Sequence, residues 1–138
     1  MHDIKRIIIP VDNSEVSKLA VKKGVFFAKL LGVDAKIISI NDTHQFISSV
    51  VLGEKLRKEA ESFLEDFKKI VEEFKVNIET EILSGKPAEE IVKYAKEDDL
   101  IVMGHHGQKK GIEQYMEKSV SREIVENAPC AVLVVKSK

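Results

Sequence analysis

The sequence predicts an α/β domain, an open sheet of five parallel strands with four helices covering both faces. Three observations carry this expectation. Strand-like and helix-like patterns alternate along the whole chain. Two strand-like segments, Ile7–Ile9 and Leu100–Met103, are apolar without a break, as central strands buried on both faces are. Each strand is separated from the next by a segment that can serve as the crossover parallel neighbours need.

Ile4 to Val11 is a β-branched run closed by Pro10 and Asp12. From Ser14 to Leu31, apolar residues at Leu19, Ala20, Val25, Phe26, Leu30 and Leu31 recur with helical spacing, and Gly32 can end the helix. Ala35 to Ile40 reads as the second strand, stopping at Asn41-Asp42, and polar and small residues from Thr43 to Ser49 form a connection. A long helix follows, with Leu52, Leu56, Ala60, Phe63, Phe67, Ile70 and Phe74 on one stripe. Glu54–Lys58 and Glu65–Lys69 are spaced to pair on its outer face. Val76 to Leu83 alternates as an edge or half-covered strand does, and Pro87 suits the first position of a third helix. Leu100–Met103 is strand four. Gln108 to Lys118 reads as a polar loop, Ser119–Glu126 as helix four, and Ala131–Val135 as strand five.

At 138 residues the chain suits one domain, residues 1–138. Its 22 basic and 23 acidic residues leave no overall field to recruit nucleic acid or a membrane surface. Basic residues are spread along helices among acids, not gathered in a patch. The single Cys130 excludes an internal disulfide, and no apolar run approaches the length of a membrane span. The expected location is cytoplasmic.

The stretch Leu100-Ile101-Val102-Met103-Gly104-His105-His106-Gly107 concentrates the chemical signal. A buried strand, a glycine turn and a following helix N-terminus are the parts of a phosphate site, because unpaired N–H groups and the helix dipole favour anions there. In parallel sheets ligands bind beyond the carboxyl ends of strands, where strand order reverses. Those ends are Pro10-Val11-Asp12, Ile40-Asn41-Asp42, Ser84-Gly85 and Met103-Gly104. If strands one and four are neighbours, Asp12 and Gly104 face each other across the crevice.

Four segments, in order, carry a family resemblance: Ile8 to Glu15, Ser84 to Ile91, Asp99 to Gly107 and Asn127 to Val135. With these the chain resembles a universal stress protein domain over nearly its whole length. The resemblance implies strand order 3-2-1-4-5. It also implies, in the ATP-binding branch, a motif of Gly, two residues, Gly, nine residues, then Gly and Ser or Thr. Gly104 and Gly107 match the first half; at the second half the chain has Glu117-Lys118. Allowing one inserted residue aligns Ser119-Val120-Ser121 with the family's helix start and puts Lys118 at the glycine position. A lysine Cβ hinders close backbone approach to phosphate, although its ammonium offers a charge in return. AMP or ADP should be less affected than ATP, and Mg is implied only with ATP.

Carried over by the resemblance, Asp12 lies near base and ribose, with Pro10 and Val11 on the same wall, and Ile40 contacts adenine. Met103 and Gly104 sit beneath ribose and phosphates, Gly107 beside the phosphates, and Ser119, Val120 and Ser121 around their far end. Apart from the resemblance, His106 is a candidate for a phosphate contact, and the Lys118 ammonium is within reach of the phosphates. Each has a structural alternative. Asp12 can be a helix N-cap with Glu15 completing a capping box. Ile40 and Met103 can be core, Gly104 and Gly107 an ordinary turn, and Ser119 a cap. Neighbouring His105 and His106 diverge and lack zinc-ligand spacing, so no metal is expected. Cys130 reads as a small core residue, and no Walker lysine motif or catalytic triad is apparent.

Strand five, strongly apolar, falls at the sheet edge in the family's order, and such an edge invites pairing. A homodimer through residues 131–136 is the expectation. Three functions stay open: a nucleotide-responsive stress or signalling module with an unknown protein partner, a nucleotide-independent dimeric interaction protein, and a weak ATPase with no evident catalytic residue.

Overall fold

The structure, a computed structural model, describes residues 3–42, 50–105 and 112–137, with side-chain surroundings for all of these but 112–119. Five parallel strands stand in the order β3-β2-β1-β4-β5. They are β1 (Arg6–Val11), β2 (Asp34–Asn41), β3 (Ile78–Ser84), β4 (Asp99–His105) and β5 (Ala131–Lys136). The helices are α1 (Glu15–Leu31), α2 (Val50–Ile70), α3 (Pro87–Tyr94) and α4 (Ile112–Asn127), with one 3-10 turn at Glu72–Phe74. The predicted sheet, strand order and helix number are all present.

Alternation along β1 divides the core in two. Ile7, Ile9 and Val11 pack with α1 and α2, whereas Ile8 joins Ile38, Ile101 and Met103 against α3 and α4. Ile7, Ile8 and Ile9 are all fully buried, so β1 needs apolar residues on both faces and shows no polar alternation. Burying one such side chain contributes about 1.5–3 kcal/mol.

Helix α1 is capped by Ser14, whose side chain accepts the Ser17 N–H, and it ends at Gly32, whose φ of 71° is left-handed. Gly24 seats α1 on the sheet: a Cβ there would stand 2.5 Å from Ile9 Cδ1. Leu19, Phe26 and Leu30, part of the apolar pattern that marks this helix in the sequence, are exposed.

Boundaries differ most from expectation in five elements. Strand β1 starts at Arg6, not Ile4, and β3 starts at Ile78, although Val76 still packs on the core from outside the strand. Helix α2 ends at Ile70, and Phe74 reaches the core from the 3-10 turn that Lys75 closes at φ 57°. Strand β4 does not stop at Met103 but runs through Gly104 and His105, which pair with Val135 and Lys136. Helix α4 starts at Ile112, seven positions before the expected Ser119. The segment Glu113-Gln114-Tyr115-Met116-Glu117-Lys118 is polar, but Glu, Gln, Met and Lys lose little side-chain freedom in a helix and nothing there breaks one.

A charged layer closes the amino end of the sheet. Arg6 on β1 grips Asp99 on β4 through two 2.9 Å hydrogen bonds, and Lys96 N–H donates to the same carboxylate at 2.8 Å. Tyr94 lies under the guanidinium, 4.9 Å from ring centre to Cζ. The bond to Asp99 raises the Arg6 pKa further, so the pair is permanently charged on the arginine side. On β2, burial alone would lower Lys36, but hydrogen bonds to Glu79 and Glu81 of β3 more than offset it and its pKa is raised.

Candidate functional site

The β1–β2 ladder runs the full length of β1, from Arg6 opposite Asp34 to Val11 opposite Ser39. The β1–β4 ladder does not. It joins Arg6, Ile7 and Ile8 to Asp99, Leu100 and Ile101 and then ends. Pro10, two residues further on, has no N–H to donate to either neighbour. Strand order reverses at the same place: β2 and β3 lie to one side of β1 and β4 and β5 to the other, with α1 over one face and α4 against the other. This is the topological switch point, where open parallel sheets take ligands.

Of the residues predicted for the site, Pro10, Val11, Met103 and Gly104 occupy the two strand ends that part here. Val11 and Met103 are buried, and each is also ordinary core. Ile40, half-buried near the end of β2 opposite Leu83, packs on the α3–α4 side. Val120 is half-buried against that same cluster, and Ser121 is buried. Lys118 and Ser119 lie within α4, but the surroundings of their side chains are not described. His106 and Gly107 fall outside the described residues, as do Thr43–Ser49.

Asp12 is exposed just beyond β1 and is not the helix cap, because Ser14 holds that position. Instead Asp12 and Ser17 bond reciprocally. The Asp12 N–H donates to Ser17 Oγ at 2.9 Å, and the Ser17 hydroxyl donates to Asp12 Oδ1 at 2.8 Å. Ser14 is nearer the helix and leaves the Asp12 carboxylate to be oriented by Ser17. The predicted box partner, Glu15, reaches Lys18 at 3.5 Å instead.

Gly104 has a packing role that the turn reading did not include. A Cβ at this position would lie 2.9 Å from the Val16 carbonyl oxygen and 3.0 Å from Val16 Cγ2. Space, not backbone freedom, requires glycine here. Through this contact the end of β4 rests on the first turn of α1, one residue from Ser17.

His105 was set aside in the sequence as half of a divergent histidine pair. It anchors α4, with Nδ1 3.0 Å from Ser121 Oγ. Consecutive apolar residues flag β4, but a contact across 16 positions depends on how α4 packs, and no local signal marks it. Ser17 was likewise missed: a serine inside an apolar helix pattern gives no sign of its partner. The Cys130 thiol is pushed up by burial and by the nearby Asp99 charge, which suits a packing residue more than a nucleophile. Among the described residues no three His, Cys, Asp or Glu side chains gather to hold a metal. No described helix is long and apolar enough to cross a membrane.

The model of the universal stress protein family matches residues 3–136. The universal stress protein MJ0531 of Methanocaldococcus jannaschii is 41% identical over 140 residues, covering 96% of this chain and 82% of its own. The solved structure of MJ0577, from the same organism, superposes with a TM-score of 0.80 at 31% identity, over 97% of this chain and 96% of that one. A universal stress protein from Archaeoglobus fulgidus, solved in complex with dAMP, shares the fold with a TM-score of 0.70 at 21% identity, covering 99% of this chain and all of that one, 100%. With a match from residue 3 to residue 136, a Rossmann-like sheet in the family's strand order and relatives at this identity, the chain belongs to the universal stress protein family.

Proposed function

We propose that this chain is an adenine-nucleotide-binding stress or signalling module acting as a homodimer. The observation that carries the reading is the early end of the β1–β4 ladder, with Asp12 fixed at its mouth by Ser17. The residues suit the ligand. A carboxylate accepts from ribose hydroxyls, Pro10 and Ile40 give a half-buried apolar wall for a base, and Ser121 brings a hydroxyl from α4. The dAMP complex of the A. fulgidus relative supports the same class of ligand. Bound nucleotide beside Gly104 and Ser121 would change the surface offered to a protein partner.

Calorimetric titration with AMP, ADP and ATP tests this. Binding is expected, with ATP gaining less over AMP than its extra charge suggests, because Lys118 replaces a glycine. Asp12→Ala should weaken binding about tenfold, or 1.4 kcal/mol, and remove about 1 kcal/mol of stability with the Ser17 bond. No heat at millimolar nucleotide would sink the proposal.

A second reading, a nucleotide-independent dimeric interaction protein, gains from the length of α4. Ser119–Ser121 lie inside the helix, where backbone N–H groups are already used, not at its start. Both readings share the dimer. Strand β5 is an edge strand on which Val132, Leu133 and Val134 stay half-exposed. The opposite edge, β3, carries Glu79 and Glu81 in ion pairs with Lys36. Charges of that kind discourage edge pairing, so β5 is the edge left to pair. Sedimentation should give a dimer at micromolar concentration, and Val132→Lys should give a folded monomer. A wild-type monomer would remove the dimer from both readings.

A further inference from the structure

Leu19, Phe26 and Leu30 on α1 are 37%, 51% and 66% exposed. Their spacing of seven and four residues puts them on one line along the helix, spanning about 16 Å. The side chains that bury α1 (Ala20, Val21, Val25 and Ala28 among them) lie on the opposite side, so this line points away from the sheet. The flanks are basic. Helix α1 carries Lys18, Lys22, Lys23 and Lys29 against the single acid Glu15, in a chain whose formal net charge is −1. Lys18 reaches Glu15, and Lys29 donates to the Phe74 carbonyl. Lys22 and Lys23 make no ion pair among the described residues, and both are exposed.

We propose that this outward face of α1 is a docking surface for a protein partner that presents an apolar strip or groove bordered by carboxylates. Three aligned apolar anchors fit a groove of that kind, and the lysines select the sign of its rim. A membrane surface fits less well. An interfacial helix sinks its broad apolar face into the lipid, whereas the broad face of α1 is turned into the core and only a three-residue line is outside. A second copy also fits less well. Helix α2 offers five acids against five bases, and α4 exposes only Val125 as a large apolar side chain among its described residues.

The probe is a pair of synthetic peptides of about 20 residues, both helical with the same leucine line, one bordered by glutamate and the other by lysine. Each is titrated into isotope-labelled protein. The glutamate peptide should shift amide signals of α1 around Leu19, Phe26 and Leu30, bind about tenfold more tightly than the lysine peptide, and weaken as salt is raised. The Phe26→Ser/Leu30→Ser double variant, altered only at exposed positions, should fold and lose the interaction. Equal binding of the two peptides, binding by neither, or shifts confined to other elements would overturn the proposal. So would phosphatidylserine-vesicle binding, or self-association, that the double variant abolishes.

Discussion

Replacing Arg6 by leucine is expected to destabilise the fold by about 3–5 kcal/mol, the usual result of stranding one member of a buried ion pair. Asp99 makes this a severe change because its side chain is only 2% exposed and cannot recover water in place of the guanidinium. The Lys96 N–H would remain to it, one hydrogen bond where three had been. Cation–π contact with Tyr94 is lost as well. Urea unfolding of the single variant, of Asp99→Leu and of the double variant gives the test. The double variant should recover most of the loss, since an apolar pair leaves no buried charge. A single-variant loss below about 1 kcal/mol would mean that the pair behaves as an exposed one.

Gly104→Val should cost about 3 kcal/mol, the upper part of the range for overpacking. Its Cβ would meet the Val16 carbonyl, a backbone atom in the first turn of α1 that cannot rotate aside. The strand or the helix must move, and Ser17, next to Val16, carries Asp12 with it. Nucleotide affinity should therefore fall together with stability. Gly53→Ala in α2 is the matched control: nothing lies within 4 Å of a Cβ there, so the methyl group should stabilise by up to about 1 kcal/mol. Denaturation midpoints of the two variants moving in the same direction would refute the packing account of Gly104.

Local pattern carried most of the fold. Ile7–Ile9 announces a strand buried on both faces, and Pro87 and Gly32 mark helix ends that the structure places where they were expected. Failures came where several local readings were equally good. Asp12, Asn13 and Ser14 are all able to cap a helix, and only the path of the chain out of β1 selects Ser14. The polar segment before Ser119 is as acceptable in a helix as in a loop. The candidate site was legible as a place, the ends of β1 and β4, because topology alone predicts it. Its internal bonds were not: Asp12–Ser17 depends on the turn, and His105–Ser121 on tertiary packing. Arg6–Asp99, separated by 93 positions, has no local trace at all.

That separation has a consequence for how the chain is made. Residues 6–41 contain everything needed to pair β1 with β2, and β3 follows by Ser84. Yet the other edge of β1 has no partner until Asp99, Leu100 and Ile101 leave the ribosome. At about 5–20 residues per second, the stretch from Ser84 to Ile101 takes roughly 1–3 s. During it the nascent chain holds a three-stranded half-sheet whose future centre is an open edge, with the Arg6 guanidinium unmatched. Closure of the Arg6–Asp99 clasp thus waits for the last third of the chain to be made.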